Sequence, residues 1–280
     1  MVLGVVLGGG GVAGVGWEAG IVIGLRRAGV DLSSADLIVG TSAGSIVGSY
    51  VAFAADLSVL AAPRPAAPGA GHVAGLEPIM AALAPVFDPT LDPLEARRRV
   101  GAAARAAPVG GEREHIARIA ALLPVREGWP SRRLLVTAVD TESGELAVWH
   151  GGSGVPLGRA VASSCAVPGA YPPVTIGARR YMDGGIRSTT NADLAAGASA
   201  VIVLDAVGHL TPREPLQAEL ATLGTDSTVV ITPDEAAAER IGTSLLDPAT
   251  GPAALQAGLA QAASCVGPAR AIWPAAPPGG

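Results

Sequence analysis

Short apolar runs of about five residues alternate with longer stretches of helical periodicity along most of the chain. The runs are rich in Val, Leu and Ile, which is typical of buried strands. Strands are predicted at Val2–Leu7, Leu37–Val39, Leu134–Val139, Glu145–Trp149, Ala200–Leu204 and Thr228–Thr232, and helices at 15–28, 43–57, 156–164 and 252–265. This alternation predicts a single α/β domain over residues 1–270, followed by a disordered tail at 271–280.

Residues 58–130 interrupt the alternation and are predicted to form a helical and loop insertion. The segment Ala61–Gly71 is rich in Pro, Ala and Gly and reads as a loop. Helices are expected at Pro93–Ala107, with Asp92 as the N-cap, and at Glu114–Leu123. The insertion is expected to lie near the mouth of a functional site.

Arginine is concentrated in the second half of this insertion. Nine of the 19 arginines of the chain lie between Arg97 and Arg133, interleaved with glutamates. A solvated helix face is the favoured interpretation, and a contact with lipid headgroups is the alternative.

One uncharged stretch, residues 37–55, could be mistaken for a membrane span. It carries Gly40, Gly44 and Gly48 at the four-residue spacing that is typical of membrane helix pairs. Its several polar residues and its strand-like start favour a strand followed by a buried central helix from Ala43 to about Leu57.

Composition narrows the classes of function. The 280 residues are 49% hydrophobic, the net charge is −5 and every basic residue is Arg, so nothing predicts a nucleic-acid partner. The two cysteines, Cys165 and Cys265, are too few for a disulfide framework and lack metal-ligand spacing, which favours a reducing cytoplasm. The segment Met1–Gly10 has no charged start and is not expected to be a signal peptide.

A serine lies at the corner between the second predicted strand and the helix that follows. The sequence Gly40-Thr41-Ser42-Ala43-Gly44 places Ser42 where a sharp turn would lift its hydroxyl toward a substrate. Gly40 and Gly44 fit such a turn because a Cβ would strike the neighbouring chain. The pattern predicts a nucleophile elbow, but it is short enough to need support from its surroundings.

The first predicted strand ends in a glycine-rich loop, Gly8–Gly14, that leads into a helix. Such a loop aims backbone N–H groups and the positive end of a helix at an anion. Beside Ser42 that anion would be the oxyanion of an acyl-transfer intermediate.

The same loop allows a nucleotide-binding interpretation. Gly9, Gly11 and Gly14 match the G-x-G-x-x-G fingerprint. That motif needs an acidic residue at the end of the next strand, whereas Asp31 and Asp36 both precede it. A nucleotide-dependent enzyme therefore stays as an alternative function.

A serine nucleophile also needs a base. Asp183-Gly184-Gly185 follows a strand-like run, and the spacing alone allows either an ordinary Asp-Gly turn or a carboxylate held at the sheet edge. The order Ser42, Asp183, His209 matches the order of an α/β-hydrolase triad. Only one strand precedes the Ser42 strand, however, whereas that fold places several strands before its elbow.

Four blocks together resemble the bacterial patatin-like phospholipases. They are Gly8–Gly14, Gly40–Gly44, Ser163–Gly169 and Asp183–Gly185, in this order, and the resemblance extends over about residues 2 to 207. The joint occurrence of the glycine loop, the elbow and the D-G-G block is specific, although each alone is not.

The resemblance implies a fold, a site and an activity. The fold would be a three-layer α/β patatin-like fold with a mostly parallel central sheet and helices on both faces. Ser42 would be the nucleophile, Asp183 the base, and the N–H groups of Gly9, Gly10 and Gly11 the oxyanion hole. The motif glycines would be Gly14, Gly40, Gly44, Gly184 and Gly185.

Two positions depart from the family pattern. Many relatives carry an Arg just before the last glycine of the loop, where this chain has Ala13. Many also have Asn-Pro beyond the D-G-G block, where this chain has Asn191-Ala192. Neither departure removes a member of the proposed Ser-Asp dyad.

The sequence therefore predicts a cytoplasmic serine esterase or lipase that hydrolyses acyl esters of phospholipid or lysophospholipid type through an acyl-enzyme. No metal and no cofactor are expected. The expected partner is a lipid ester, with transient contact to a membrane surface as an open alternative. A non-catalytic lipid-binding relative is the second alternative to the hydrolase.

Overall fold

A single mixed sheet forms the centre of the computed structural model, which describes residues 1–61, 76–125 and 128–274. Its strands within these ranges are β1 (Leu3–Leu7), β2 (Leu37–Thr41), β3 (Arg133–Asp140), β4 (Leu146–Trp149), β5 (Val174–Ile176), β6 (Arg179–Asp183), β7 (Ala200–Leu204) and β8 (Thr228–Ile231). Their order is β5-β6-β3-β2-β1-β7-β8, with β4 paired to β3. The strands β3, β2, β1, β7 and β8 are parallel, whereas β4 and β6 run antiparallel to β3 and β5 runs antiparallel to β6.

Helices cover both faces of this sheet. They are α1 (Gly11–Arg27), α2 (Ala43–Ala52), α3 (Leu76–Leu83), α4 (Pro93–Ala106), α5 (Glu112–Ala120), α6 (Leu157–Ser164), α7 (Glu214–Leu220), α8 (Glu235–Ile241) and α9 (Thr250–Ile272). Val5 and Leu7 of β1 point into the larger core, with α1, α2, α6 and α9. Val6 points into a smaller core, with α7 and the 3₁₀ turn Ala192–Ala195. The predicted three-layer α/β class with a mostly parallel sheet is confirmed.

Helix α1 packs very closely against α9. A Cβ added at Gly16, Gly20 or Gly24 would collide with Gly251, Leu255 or Ala262 of α9, respectively. Glycine at every fourth position therefore gives α1 a flat stripe along which the backbones of the two helices approach.

The stretch at residues 37–55 forms β2 and α2, and α2 packs against the sheet. Among the helices of the described ranges, none combines the length and the apolarity of a bilayer span. Helix α2 ends five residues before its predicted end, because Ala54 adopts a positive φ of 51° that a continuing helix does not allow. Helix α1 begins four residues earlier than predicted, where the N–H of Ala13 donates to the Leu245 carbonyl at 3.1 Å.

The insertion contains three helices within its described residues. Asp92 caps α4 by accepting hydrogen bonds from the N–H groups of Leu94 and Glu95, as predicted. Helix α3 was not predicted, because it follows directly on the Pro-rich segment. The loop predicted at Ala61–Gly71 lies almost wholly outside the described residues.

Three arginines of α4 hold the turn between β3 and β4. Arg97, Arg98 and Arg105 donate hydrogen bonds to backbone carbonyls of residues 141–144. Arg98 and Arg105 are exposed, as a solvated helix face predicts, whereas Arg97 is half-buried against the turn. The sequence pattern could not reveal this contact, since the turn is some 40 residues away along the chain.

The end of the chain is more ordered than predicted. Helix α9 runs two residues into the predicted tail 271–280, and Trp273 after it is only 2% exposed. The indole N–H of Trp273 lies 3.1 Å from both the Asp31 carbonyl and the Ser34 hydroxyl. The tail prediction is therefore wrong for residues 271–273, and its last six residues lie outside the described part of the chain.

Candidate active site

Ser42 occupies the corner between β2 and α2. Strand β2 ends at Thr41 and α2 begins at Ala43, so a single residue makes the turn. Ser42 has φ 51° and ψ −115°, a conformation that costs a non-glycine residue free energy and is typical of functional sites. The hydroxyl of Ser164, at the end of α6, holds this corner by accepting the Ser42 N–H at 2.8 Å.

Two glycines make the corner sterically possible. A Cβ on Gly44 would collide with the backbone carbonyl of Leu7 in β1, and one on Gly40 would lie 2.6 Å from the Ser45 Cα. Helix α2 therefore starts almost in contact with the sheet, as the elbow pattern predicted.

The hydroxyl of Ser42 meets the carboxylate of Asp183 because two strands converge on it. Thr137 of β3 pairs with Thr41 of β2 and also with β4, and Ala138 pairs with Asp183 of β6 and also with β4. Strands β2 and β6 therefore lie on the same side of β3. They run in opposite directions. The carboxyl end of β2 lies opposite Thr137 and that of β6 lies opposite Ala138, so the two ends meet at adjacent residues of β3.

The resulting contact is a short hydrogen bond. Ser42 Oγ donates to Asp183 Oδ2 at 2.7 Å, and the two residues are 6% and 4% exposed. Burial raises the pKa of Asp183 to about 6, although the hydrogen bonds from Ser42 and from the Gly185 N–H oppose this. The carboxylate is thus a stronger base than an exposed Asp, while it stays ionised at neutral pH.

The turn after β6 fixes the second oxygen of the carboxylate. The N–H of Gly185 donates to Asp183 Oδ1 at 2.8 Å, and the N–H of Asp183 donates to the Ala166 carbonyl at 3.0 Å. A Cβ at Gly184 would collide with Thr137 of β3. Of the two interpretations that the sequence left open, the structure supports the carboxylate held at the sheet edge.

The glycine loop lies directly against the serine. A Cβ on Gly9 would be 3.6 Å from the Ser42 Cβ, and one on Gly14 would be 3.2 Å from the Ala43 Cβ. The carbonyl of Gly8 accepts the Gly44 N–H at 2.8 Å, which joins the loop to the elbow.

The three predicted oxyanion donors are not equivalent. The N–H of Gly9 already donates to the Thr189 carbonyl at 2.7 Å, so in this geometry Gly9 does not present a free donor. The N–H groups of Gly10 and Gly11 have no acceptor among the described residues. Gly11 is the first residue of α1 and has φ +61°.

No histidine within the described ranges bonds to Ser42 or Asp183. Both ring nitrogens of His209 are buried without a partner there. His115 bonds to the Ala162 carbonyl, and His150 accepts from the Gly152 N–H. His72 lies outside the described residues. The triad suggested by the order Ser42, Asp183, His209 is therefore not assembled.

Two residues near the pair lie in or beside the sequence blocks but were given no role in the sequence analysis. Ser164 holds the elbow, as described above. Asn191, fully buried and left-handed with φ 52°, donates to Thr41 Oγ1 at 3.0 Å and to the Ser188 carbonyl at 2.8 Å. Asn191 thus ties the segment after the D-G-G turn to the end of β2, without the Pro that many relatives have next. The Asn shared with the family pattern was the signal in the sequence, whereas its left-handed backbone and its contacts are displayed only by the structure.

Metal-binding clusters of three or more His, Cys, Asp or Glu are not found in the part of the chain that the structure describes. Two surface hollows lie away from the pair. One is bordered by residues including Arg26, Asp31 and Asp56, and the other by residues including Arg132 and His150.

The fold and the site define the class as an α/β protein with a hydrogen-bonded serine–aspartate pair at the carboxyl edge of a mostly parallel sheet. The family model of the patatin-like phospholipases matches residues 74–196. This match confirms the resemblance that the motifs indicated. The matched region contains Asp183 and the Ser163–Gly169 block, whereas Ser42 and the glycine loop precede it.

Solved structures align with most of the chain at low sequence identity. VipD from Legionella pneumophila has 13% identity and a TM-score of 0.49, and the alignment covers 95% of this chain and 66% of VipD. The type III effector ExoU has 15% identity and a TM-score of 0.35, and the alignment covers 94% of this chain and 53% of ExoU. ExoU in its complex with SpcU from Pseudomonas aeruginosa has 16% identity and a TM-score of 0.34, with 95% and 52% covered.

The chain therefore spans less than two thirds of VipD and about half of ExoU. No curated protein matches it.

Proposed function

We propose that the protein is a serine esterase or lipase that hydrolyses acyl esters of lipids, of phospholipid or lysophospholipid type. The observation that carries the proposal is the 2.7 Å hydrogen bond from Ser42 Oγ to Asp183 Oδ2, at a serine with a positive φ. This distance lies within the range in which a general base takes a proton. The family match supports the same chemistry.

The first half-reaction transfers the acyl group to Ser42. Asp183 takes the hydroxyl proton while Oγ attacks the ester carbonyl carbon, and the carbonyl oxygen becomes an oxyanion. The free N–H groups of Gly10 and Gly11, at the start of α1, hold this charge. The intermediate then collapses, the C–O bond to the alcohol breaks, and Asp183 returns the proton to the leaving alcohol.

The second half-reaction releases the acid. Asp183 takes a proton from a water molecule while the water oxygen attacks the acyl-enzyme carbonyl. Collapse of the second oxyanion breaks the bond to Ser42 Oγ, which recovers the proton from Asp183. The base is regenerated in each turnover, and each half-reaction balances without a metal or a cofactor.

Exposed apolar side chains in the insertion support a lipid substrate. Leu76 and Phe87 are each 66% exposed and Met80 is 44% exposed, on α3 and the 3₁₀ turn that follows it. This segment lies close to the turn beyond α6, because a Cβ on Gly169 would be 2.5 Å from the Pro78 carbonyl. We therefore place the contact with a lipid surface here, close to the Ala166 carbonyl that holds the backbone of Asp183. A cytoplasmic location stays a prediction from cysteine usage.

Fluorophosphonate labelling tests the proposal. The wild type, Ser42→Ala, Asp183→Asn and His209→Ala should be compared by mass spectrometry and by hydrolysis of short and long p-nitrophenyl esters. We expect label on Ser42 only, and a loss of at least about 10³-fold in kcat/KM for Ser42→Ala and Asp183→Asn. His209→Ala should keep wild-type activity.

Other outcomes point to the alternatives. Lipid binding without labelling or turnover would indicate a non-catalytic relative. Nucleotide binding without labelling would indicate that the glycine loop serves a phosphate. A wild-type rate for folded Asp183→Asn would overturn the dyad.

A further inference from the structure

An arginine on α5 is held in place without a carboxylate. Arg118 Nη2 donates to His115 Nδ1 at 2.9 Å, and its guanidinium lies 4.2 Å from the ring centroid of Tyr171. The His115 and Tyr171 rings also stack, with centroids 5.1 Å apart. These contacts fix both the position and the plane of the guanidinium.

His115 can play this part only as a neutral ring. The Ala162 carbonyl, 2.8 Å from Nε2, can only accept, and Arg118 can only donate, so Nε2 carries the proton and Nδ1 is the acceptor. Burial, with a smaller contribution from the charge of Arg118, lowers the pKa of His115 to about 4, although the hydrogen bond to the Ala162 carbonyl opposes this. A buried, neutral histidine therefore serves as the support of a cation.

Arg118 makes no ion pair within the described ranges, where the four ion pairs involve other residues. Its guanidinium has five N–H donors and only one of them has an acceptor there. The residue is half-buried, so part of its side chain is exposed within the described part of the chain.

Through His115, this arginine is connected to the end of α6 that contacts Ser42. The Ala162 carbonyl that holds His115 is two residues before Ser164, whose hydroxyl accepts the Ser42 N–H. The thiol of Cys165 lies 3.3 Å from the Ser42 carbonyl. Burial raises the pKa of that thiol, the charge of Asp183 raises it further, and the charge of Arg118 lowers it, so both charges act at this point.

We propose that Arg118 forms an anion subsite beside the Ser42–Asp183 pair and binds the phosphate group of a lipid headgroup. The fork of a guanidinium matches two phosphate oxygens, and a side chain already held by His115 and Tyr171 loses little entropy on binding. The inference rests on the proposed function, which supplies the lipid ester substrate. It makes Arg118 the residue that gives the enzyme a preference for anionic over neutral esters.

The kinetic test compares two esters with the same acyl chain below their aggregation concentrations. Lysophosphatidate carries a phosphate, and monoacylglycerol is neutral. For Arg118→Gln we expect KM for lysophosphatidate to rise about 10- to 100-fold with kcat little changed, and both constants for monoacylglycerol to stay at the wild-type level. Arg118→Lys should recover part of the loss.

The matched control is Arg113→Gln on the same helix. The Arg113 side chain is 93% exposed and makes only a 3.6 Å contact with Glu114, so neither substrate should respond to this change. Equal losses on both esters after Arg118→Gln would show that Arg118 only supports the packing of α5, and would overturn the proposal. Unchanged KM for lysophosphatidate would overturn it as well.

A binding test separates this inference from the proposed hydrolysis. Calorimetry with Ser42→Ala should detect glycerol 3-phosphate, and the double variant with Arg118→Gln should lose that binding. Inorganic phosphate that binds as tightly as glycerol 3-phosphate would overturn the headgroup assignment. Retained binding that depends on Arg118, in a protein that hydrolyses no ester, would leave the subsite standing while the proposed function fails.

Discussion

Ser42 Oγ and Asp183 Oδ2 lie 2.7 Å apart although the residues are 141 positions apart in the sequence. The reason is the arrangement of β2 and β6, which run toward each other along the same side of β3 and end one residue step apart. Both side chains are nearly buried at this junction, and burial sets the basicity of the carboxylate. The predictions below follow from this junction and from the close packing around it.

The rate should depend on the ionisation of Asp183. Because the pKa of Asp183 is raised to about 6 and the base must be ionised, kcat/KM should level off above about pH 7, fall to half near pH 6 and approach a tenfold loss per pH unit below about pH 5. The measurement is a pH profile from 4.5 to 8 with a neutral p-nitrophenyl ester. His209→Ala should show the same profile, and a rate independent of pH over this range would contradict the role of Asp183.

The same carboxylate should reduce stability at neutral pH. Its folded-state pKa lies above the ordinary value of 3.8, so the folded protein holds the proton more tightly than the unfolded chain does. The free energy of unfolding therefore falls as pH rises from about 4 to 6, and the loss is complete above that range. Asp183→Asn cannot ionise and should be more stable at pH 7.5 by up to about 3 kcal/mol.

Urea unfolding at pH 4 and pH 7.5 measures this effect. The exposed Asp226→Asn serves as the control and should show no such gain. A variant at Asp183 that is equally or less stable than the wild type at pH 7.5 would argue against the raised pKa.

The contact between the elbow and β1 should tolerate no side chain. Gly44→Ala puts a Cβ into the Leu7 carbonyl, and we expect a loss of more than about 3 kcal/mol or failure to fold. Gly267→Ala is the matched control, because Gly267 lies in helix α9 and an added Cβ would meet no heavy atom of another element within 4 Å. We expect a change of less than about 1 kcal/mol, because the helix propensity of Ala is offset by the crowding of its Cβ against the ring of Pro268. Thermal unfolding distinguishes the two, and a stable, active Gly44→Ala would refute the steric argument.

A second buried carboxyl should give a separate pH effect on stability. Glu18 of α1 is fully buried and neither oxygen has a partner among the described residues. Burial raises the pKa of Glu18 well above its usual value; the nearby Gly8 N–H lowers it and the charge of Asp205 raises it. Stability should therefore decrease as pH rises above the ordinary Glu pKa, and Glu18→Gln should remove this part of the decrease.

Thermal unfolding from pH 4 to 8 tests the Glu18 prediction. Each kcal/mol should appear as about 2–4 °C in Tm for a chain of this size. Glu239→Gln, an exposed glutamate of α8, is the control and should follow the wild type. If Tm varied with pH in the same way for Glu18→Gln and for the wild type, the prediction would be contradicted.

Elements with a strong local signal were predicted well. Strand β7 was predicted with its observed limits, and the N-cap of α4 was recognised at Asp92. Elements without such a signal were missed, among them α3, α7 and the three-residue strand β5. Short or proline-flanked segments form there because tertiary contacts support them, and local propensity does not decide their structure.

By itself, the sequence determined the strand–serine–helix corner, the glycine loop and the D-G-G turn. Their signals are local, since apolar runs and glycines act through the backbone of adjacent residues. Only the tertiary structure decided which of these groups meet. The approach of β2 and β6 brought Asp183 to Ser42 and left His209 apart, and the hydrogen bond to Thr189 occupied the N–H of Gly9. Strand pairing and burial act between residues far apart in sequence, so no local pattern displays them.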